Sequence, residues 1–192
     1  MIVLSAQNVA KSFGVNAVLK DVSFTIQQGD RIGLVGVNGC GKSTLMKLIC
    51  GLLVPDYGTI EICGEPISEK TNRFISYLPE RTYLSMDQSS QEIIEFFSDF
   101  YEDFDPQRAE NMLLDLKIDP KAKLKTLSKG MKEKVQLVMV MSRRAKLYLL
   151  DEPIAGVDPA ARLHTFDHHT KLRSGCHHSH HHSPNTRRRE RP

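Results

Sequence analysis

Nine consecutive residues of the chain have the types and spacing of a phosphate-binding loop, or P-loop. The segment reads Gly-Val-Asn-Gly-Cys-Gly-Lys-Ser-Thr and fits the pattern G-x-x-x-x-G-K-[ST]. Its glycines allow backbone angles that turn successive N–H groups toward one anion, and its lysine can reach the β- and γ-phosphates of a nucleotide. The serine hydroxyl is a suitable ligand for Mg²⁺. The residues predicted to hold the nucleotide are Gly36, Val37, Asn38, Gly39, Cys40, Gly41, Lys42, Ser43 and Thr44.

Two elements must position this loop. The apolar run Arg31–Val35 predicts a strand that leads into it, and Lys42–Cys50 predicts a helix that leads out of it and ends at Gly51. The N-terminus of that helix would add its positive dipole end to the anion site. A glycine turn that matched by chance would not be expected in this context, so we interpret the segment as a nucleotide site.

A pair of acidic residues follows another apolar run. The short apolar run Lys146–Leu150 predicts a strand that ends in Asp151 and Glu152. An acid at the end of a strand far from a P-loop is the usual partner of its magnesium. Asp151 would orient the Mg²⁺ ligands, and Glu152 would act as general base on a water in line with the γ-phosphate, with Lys42 as the second catalytic residue. The alternative is a pair of solvated acids at a strand end.

Four further segments predict strands, namely Met1–Val9, Val22–Ile26, Thr59–Cys63 and Phe74–Leu78. The last of them is followed by Pro79 and Glu80. Phe13 lies ahead of the second, in a predicted turn over Lys11–Gly14. From the residues alone, its ring is either a surface on which an adenine stacks or an ordinary part of the core.

Residues 84–132 predict a small helical insert between the sheet-forming segments. Ser89 and Glu92 fit a capping box, and Asp105–Pro106 fits a second helix start. The apolar residues behind these starts recur at helical spacing and are expected to form a core: Ile93, Phe96, Phe97, Phe100, Ala109, Met112, Leu113 and Leu116. Leu127–Met131 opens a third helix, which is predicted to extend to about Arg144.

The composition excludes several classes of protein. The 192 residues carry a formal charge of +3, but residues 164–192 hold six basic and two acidic side chains, so the remainder is close to neutral. No nucleic-acid partner is therefore expected. No apolar run reaches the roughly 18 residues of a membrane span, and no signal peptide is evident. The four cysteines lack disulfide or metal spacing, which favours a reducing cytosol.

The order of these motifs identifies a family. With Leu127–Met131 directly ahead of the strand that ends in Asp151, residues 1–163 resemble the nucleotide-binding subunit of ATP-binding cassette (ABC) transporters. The resemblance implies an α/β P-loop NTPase fold, with a mostly parallel sheet core, an antiparallel β-subdomain and a helical subdomain at about 84–132, incomplete at the C-terminus. It also implies ATP and Mg²⁺ as cofactors.

The resemblance assigns roles to single residues. It implies that Phe13 stacks on the adenine and that Ser43 and Asp151 ligate Mg²⁺, with Glu152 as the catalytic base. Glu80 stands where the family has a glutamine, and its carboxylate can still bind Mg²⁺ or water. Ser128 and Gly130 match the signature motif, and Gly156–Asp158 match the D-loop.

The resemblance also implies partners. Two such subunits, identical or different, are expected to pair head to tail, so that Ser128 and Gly130 of one face the γ-phosphate held by the P-loop of the other. A separate transmembrane permease subunit is expected to contact the helical insert and the Glu80 loop, which would hold the chain at the cytoplasmic face of the membrane. The glutamate at position 80 and the Leu-Ser-Lys-Gly-Met form of the signature look like bacterial subunits that serve export.

Residues 164–192 depart from the family. A family member would continue with a helix and an apolar strand that ends in a switch histidine, whereas all eight histidines here lie in a His- and Arg-rich tail without apolar periodicity. The tail is expected to be disordered. A frameshifted or truncated reading frame, a metal-binding tract and an engineered tail all remain open. Two functions follow: the ATPase subunit of a transporter, or a non-transport ABC protein that binds ATP and hydrolyses it poorly.

Overall fold

A computed structural model of the chain describes residues 1–151. Its first part is an antiparallel sheet of four strands in the order β2-β1-β3-β4. The strands are β1 (Ile2–Phe13), β2 (Asn16–Gln27), β3 (Tyr57–Ile62) and β4 (Glu65–Pro66). The prediction of an antiparallel β-subdomain is confirmed, including the alternating burial of Val22–Ile26 in β2.

The β1–β2 hairpin is longer than the sequence predicted. β1 continues to Phe13, which pairs with Asn16, so the predicted turn over Lys11–Gly14 is wrong and the chain reverses over residues 14–15. Gly14 has φ +59°, a conformation that glycine adopts without a steric penalty. Lys11 and Ser12 resemble turn residues by composition, but their pairing with β2 places them in the strand.

A second layer carries the P-loop helix and a parallel pair of strands. Helix α1 (Lys42–Ile49) lies between β2 and β3 in the chain, and the short helix α2 (Glu69–Asn72) precedes β5 (Ile75–Leu78). β5 pairs in parallel with β6 (Leu147–Leu150). Residues of α1, of both sheets and of the connecting segments form one apolar core, with Leu48, Leu4, Ile62, Ile75 and Leu149 among its members.

Three helices form a second apolar core. They are α3 (Ser90–Phe100), α4 (Pro106–Asp115) and α5 (Lys129–Met141), with a single 3₁₀ turn over Leu124–Thr126. The predicted capping box is present, since the Ser89 hydroxyl accepts from the N–H of Glu92 and the Glu92 carboxylate accepts from the N–H of Ser89. Asp105 caps α4 with Pro106 behind it, as predicted. Among residues 1–151, no helix is both long and apolar enough to cross a bilayer.

Arg143 joins the helical region to the sheet. Its guanidinium donates to the Ile75 carbonyl of β5 at 2.7 Å and to the Asp103 carboxylate from Nε at 3.0 Å, and it lies 4.0 Å from the ring centroid of Tyr101. A buried charge is tolerated when it is paired and its donors are satisfied, and both conditions hold here. The loop after α3 is thereby fixed to the first residue of β5.

The predicted strand over Arg31–Val35 is wrong. Residues 30–38 have no regular secondary structure, and the side chains of Ile32 and Val35 are 57% and 98% exposed. An apolar run indicates only that a segment suits burial in a sheet, because strand formation also requires a neighbouring strand to accept its hydrogen bonds. Within the described part of the chain, β5 and β6 pair only with each other.

Candidate functional site

The P-loop has the backbone turns that its glycines predict. Gly39 and Gly41 have φ of +81° and +99°, and the Cys40 N–H donates to the Val37 carbonyl at 3.2 Å. A Cβ added at Gly36 would lie 2.5 Å from the Cys40 Sγ, so a larger residue there would displace the cysteine. The loop is therefore tightly wound between residues 36 and 41.

The Lys42 side chain folds back over the loop. Its Nζ donates to the carbonyl oxygens of Gly36 at 2.7 Å and Val37 at 3.0 Å, and it lies 3.8 Å from the Cys40 Sγ. The ammonium is thus held at the concave side of the loop by neutral acceptors. A phosphate in the loop would offer it a charged acceptor, and such charge-assisted hydrogen bonds are roughly twice as strong as neutral ones.

Helix α1 begins without a side-chain cap. Its N-cap is Gly41, in the left-handed conformation, which has no side chain to cap the first turn. The first N–H groups of a helix lack intrahelical acceptors and attract anions, helped by the helix dipole. Ser43 and Thr44 lie half-buried in this turn. The N-terminus of α1 is therefore free of a side-chain cap, and its role as a phosphate site stays a prediction.

The P-loop packs against the hairpin that carries Phe13. A Cβ added at Gly41 would lie 2.9 Å from the Val18 Cγ1 and 3.0 Å from the Leu19 Cδ2, both at the start of β2. Phe13 pairs with Asn16 at the end of the same hairpin, and its ring is 48% exposed. The ring is thus a surface residue and not part of the core, while its role toward an adenine stays a prediction.

Asp151 lies directly after β6 and is buried. Its N–H donates to the Leu78 carbonyl at 2.9 Å, which extends the pairing of β6 with β5 by one residue. On β5, burial and the neighbouring Asp151 carboxylate raise the pKa of Tyr77 to about 12. Oxygen donors such as the Asp151 carboxylate and the Ser43 hydroxyl suit Mg²⁺, which usually shares its coordination with nucleotide phosphates. Among residues 1–151, no three His, Cys, Asp or Glu side chains cluster as a metal site of their own.

Glu80 follows β5 and is exposed, within a loop that α5 holds in place. Gln136 of α5 is 3% exposed, and its Nε2 donates to the Pro79 carbonyl at 3.4 Å while its Oε1 accepts from the Thr82 hydroxyl. The Gln136 amide therefore contacts the chain on both sides of Glu80, at Pro79 before it and at Thr82 after it. The sequence reasoning missed Gln136, although a polar residue inside the apolar run 135–140 was a usable signal.

The signature residues lie at the N-terminus of α5. The hydroxyl of Ser128 caps the helix by accepting from the Met131 N–H at 3.3 Å, and Gly130 is exposed in the first turn. A Cβ added at Gly130 would meet no atom within 4 Å. Within residues 1–151, therefore, no packing contact requires a glycine at position 130.

Several predicted residues lie outside the described part of the chain. These are Glu152, the predicted catalytic base, the predicted D-loop at Gly156–Asp158 and the His- and Arg-rich residues 164–192. Their predicted roles stay predictions.

Comparison with known proteins gives a consistent result. A family model described as ABC transporter matches residues 19–155. The Nod factor export ATP-binding protein I of Burkholderia lata is 35% identical over 165 residues, which cover 81% of this chain and 54% of that protein. The ABC transporter ATP-binding protein YtrB of Bacillus subtilis is 33% identical over 161 residues, covering 83% of this chain and 55% of that protein. The chain thus spans about half the length of these curated relatives.

A solved structure also matches the fold. It is described as the structure of the ATP binding subunit of an ABC transporter, with a TM-score of 0.78 and 28% sequence identity, and the match covers 88% of this chain and 74% of the other. The P-loop, the helical region and the antiparallel sheet therefore belong to one known architecture.

Proposed function

The chain belongs to the ABC transporter family, and from this premise we propose that it binds Mg·ATP as the ATP-binding subunit of a transporter. The observation that carries the proposal is the P-loop itself. The Lys42 ammonium lies at 2.7 Å from the Gly36 carbonyl, beside the uncapped N-terminus of α1. A positive side chain beside the positive end of a helix dipole favours a polyphosphate.

We further propose that the subunit acts as a dimer. Ser128 and Gly130 lie at a different helix N-terminus from the P-loop, so a second subunit is the natural way to bring both to one γ-phosphate.

The remaining residues have proposed roles at the nucleotide. Asp151 and Ser43 would ligate Mg²⁺, and Glu80 would add a ligand for the metal or for water. Phe13 would stack on the adenine, and Glu152 would act as general base. A separate membrane permease would hold the dimer at the cytoplasmic face, and two of the relatives are named for export or resistance.

A titration with a fluorescent ATP analogue and Mg²⁺ tests the proposal. Lys42→Ala is expected to weaken binding by at least about tenfold, since a charge-assisted hydrogen bond contributes roughly 1.5–3 kcal/mol. Lys47→Ala is the matched control, because Lys47 is an exposed lysine in the last turn of the same helix. Equal affinity in Lys42→Ala and the wild type would contradict the assignment of the site.

We also propose that this 192-residue chain hydrolyses ATP slowly. The basis is the sequence of residues 164–192, which has no apolar run to seat a switch histidine against the γ-phosphate. One such electrostatic contact is often worth about 10²–10³ in rate. Steady-state turnover should therefore rise when these residues are replaced by a helix–strand–histidine ending from a relative. Equal turnover in both chains would show that the tail has another role.

The second candidate is an ABC protein without a transport role. The near-neutral charge of residues 1–163 does not favour a ribosomal or DNA partner. A gene for a multi-span membrane protein beside the gene for this chain would support the transporter. Its absence, together with co-purification on ribosomes, would support the other class.

A further inference from the structure

The hairpin end that carries Phe13 is held by one carboxylate from a distant part of the chain. The Asp56 Oδ1 accepts from the Lys11 Nζ at 2.7 Å, and its Oδ2 accepts from the Ser12 N–H at 2.7 Å. The N–H of Asp56 in turn donates to the Ala10 carbonyl at 2.9 Å. The three residues before Phe13 are thus all bonded to Asp56. We call this arrangement the Asp56 clamp.

The clamp joins the aromatic ring to the P-loop helix. Asp56 lies in the turn after α1, directly before β3, which pairs with β1 through Tyr57 and Ala10. Gly58 allows this close approach, since it has φ +85° and an added Cβ would lie 2.4 Å from the carbonyl oxygens of Gln7 and Asn8. Asp56 thus links the end of β1 to the start of β3, the strand that follows α1 in the chain. The P-loop meets the same hairpin where Gly41 lies against Val18 and Leu19.

The clamp also places a cation at the aromatic ring. The Lys11 side chain is 16% exposed, and its Nζ lies over the Phe13 ring at 5.7 Å from the centroid. The hydrogen bond from Lys11, with that from the Ser12 N–H, lowers the pKa of the Asp56 carboxyl, so the carboxylate is ionised at neutral pH. Without Asp56, Lys11 would lose its acceptor, and the residue next to Phe13 would lose its backbone bond.

We propose that Asp56 is a positioning residue for base recognition: it fixes Phe13 relative to the P-loop, so that the adenine and the phosphates of one nucleotide are bound together. The inference rests on the proposed function, because it requires a nucleotide in the P-loop. Base stacking on an aromatic side chain needs a defined ring position, whereas phosphate binding by the P-loop does not depend on Phe13. Asp56 therefore sets affinity for the base and not for the phosphates.

The test separates the contribution of the base to binding from the contribution of the phosphates. ATP and inorganic triphosphate are each used to displace a fluorescent ATP analogue from the full chain. Phe13→Ala is expected to lower the affinity for ATP about tenfold and to leave the affinity for triphosphate unchanged, because stacking of a base is worth roughly 1–3 kcal/mol. Asp56→Ala is expected to lower the affinity for ATP by about 3- to 10-fold, again without a change in the affinity for triphosphate. The Phe13→Ala/Asp56→Ala double variant should lose no more affinity for ATP than Phe13→Ala alone.

Two control variants make the result specific. Asp87→Ala removes a carboxylate from another lysine pair, with Lys125 at 2.9 Å, and should change neither affinity. If Asp56→Ala does not fold, Lys11→Met replaces it, since it keeps the apolar stem and removes the ammonium. It should weaken ATP binding about 2- to 5-fold relative to triphosphate binding, because a cation–π contact of roughly 0.5–1 kcal/mol and the held ring position are lost.

The outcomes distinguish the two proposals. An Asp56→Ala variant that binds ATP like the wild type, or that loses ATP and triphosphate equally, overturns the clamp and leaves the proposed function intact. A Phe13→Ala variant with an unchanged ratio of ATP to triphosphate affinity also overturns the clamp. A wild-type chain that binds neither compound overturns the proposed function, and the inference with it.

Discussion

The N-termini of α1 and α5 are built in opposite ways. α1 begins at Gly41, which offers no side chain to the first turn, whereas α5 begins at Ser128, whose hydroxyl accepts from the Met131 N–H at 3.3 Å. Gly41 is packed against Val18 and Leu19, but Gly130 in α5 has open space around it. The first terminus is thus packed against its own subunit and has no side-chain cap. The second is capped by the Ser128 hydroxyl, and among residues 1–151 no atom packs against its glycine.

The largest expected effect comes from a charge at the second terminus. Gly130→Glu should weaken ATP-dependent self-association at least about tenfold, because a carboxylate facing the γ-phosphate of a partner is a like-charge contact that costs several kcal/mol. ATP binding to the isolated chain should not change, and the fold should not suffer, since an acid in the first turn favours a helix. Light scattering with and without Mg·ATP measures the association.

Gln91→Glu is the matched control for this variant. Gln91 is exposed and occupies the second position of α3 after the Ser89 cap, as Gly130 does in α5 after Ser128. It should leave ATP-dependent association unchanged. If Gly130→Glu associates as strongly as the wild type, α5 does not face a nucleotide bound to the partner. The difference between the two helix N-termini would then have no role in dimer formation.

The two glycines should differ in their effect on stability. Gly41→Ala is expected to destabilise the chain by about 1–3 kcal/mol, because alanine is strained at φ +99° and its Cβ would press on Val18. Gly130→Ala should stabilise α5 by up to about 1 kcal/mol, since alanine is the better helix former. Urea unfolding followed by circular dichroism measures both. Similar losses in the two variants would contradict the packing difference.

The serine cap should contribute to the stability of the chain and not to the affinity of the isolated chain for ATP. Ser128→Ala is expected to lower the free energy of unfolding by about 1 kcal/mol, through the loss of the hydrogen bond to the Met131 N–H. The affinity of the isolated chain for ATP should match that of the wild type, because the P-loop is on another helix. A drop in that affinity would indicate that the two termini of one subunit are coupled.

The smallest expected effect is a change in the rate at which Cys40, beside the N-terminus of α1, reacts with maleimide. Cys40 is exposed in the P-loop, and maleimide should label it faster than Cys50, because burial raises the pKa of the Cys50 thiol to about 12 and keeps it protonated. Mg·ATP should slow the labelling of Cys40 several-fold by covering the loop, and leave Cys63 unchanged. Peptide mapping after timed labelling measures each rate. If Mg·ATP does not slow the labelling of Cys40, the nucleotide binds at a site other than the P-loop.

The features that the sequence by itself determined are those that depend on a few neighbouring residues. The glycine turns at Gly39 and Gly41, the start of α1 at Lys42 and the caps at Ser89 and Asp105 were all predicted correctly. Each depends on a glycine conformation or on a side chain that bonds a backbone N–H three residues away. Such interactions are encoded locally, so they can be read without knowing the rest of the fold.

Only the tertiary structure decided which distant segments meet. Residues 31–35 look like a strand but are not paired as one. The Asp56 carboxylate bonds Lys11 and Ser12, which lie 45 and 44 positions earlier in the chain. Gln136 likewise reaches Pro79 across 57 positions of the chain. Strand pairing and long-range hydrogen bonds depend on where both partners lie after folding, which neither segment specifies alone.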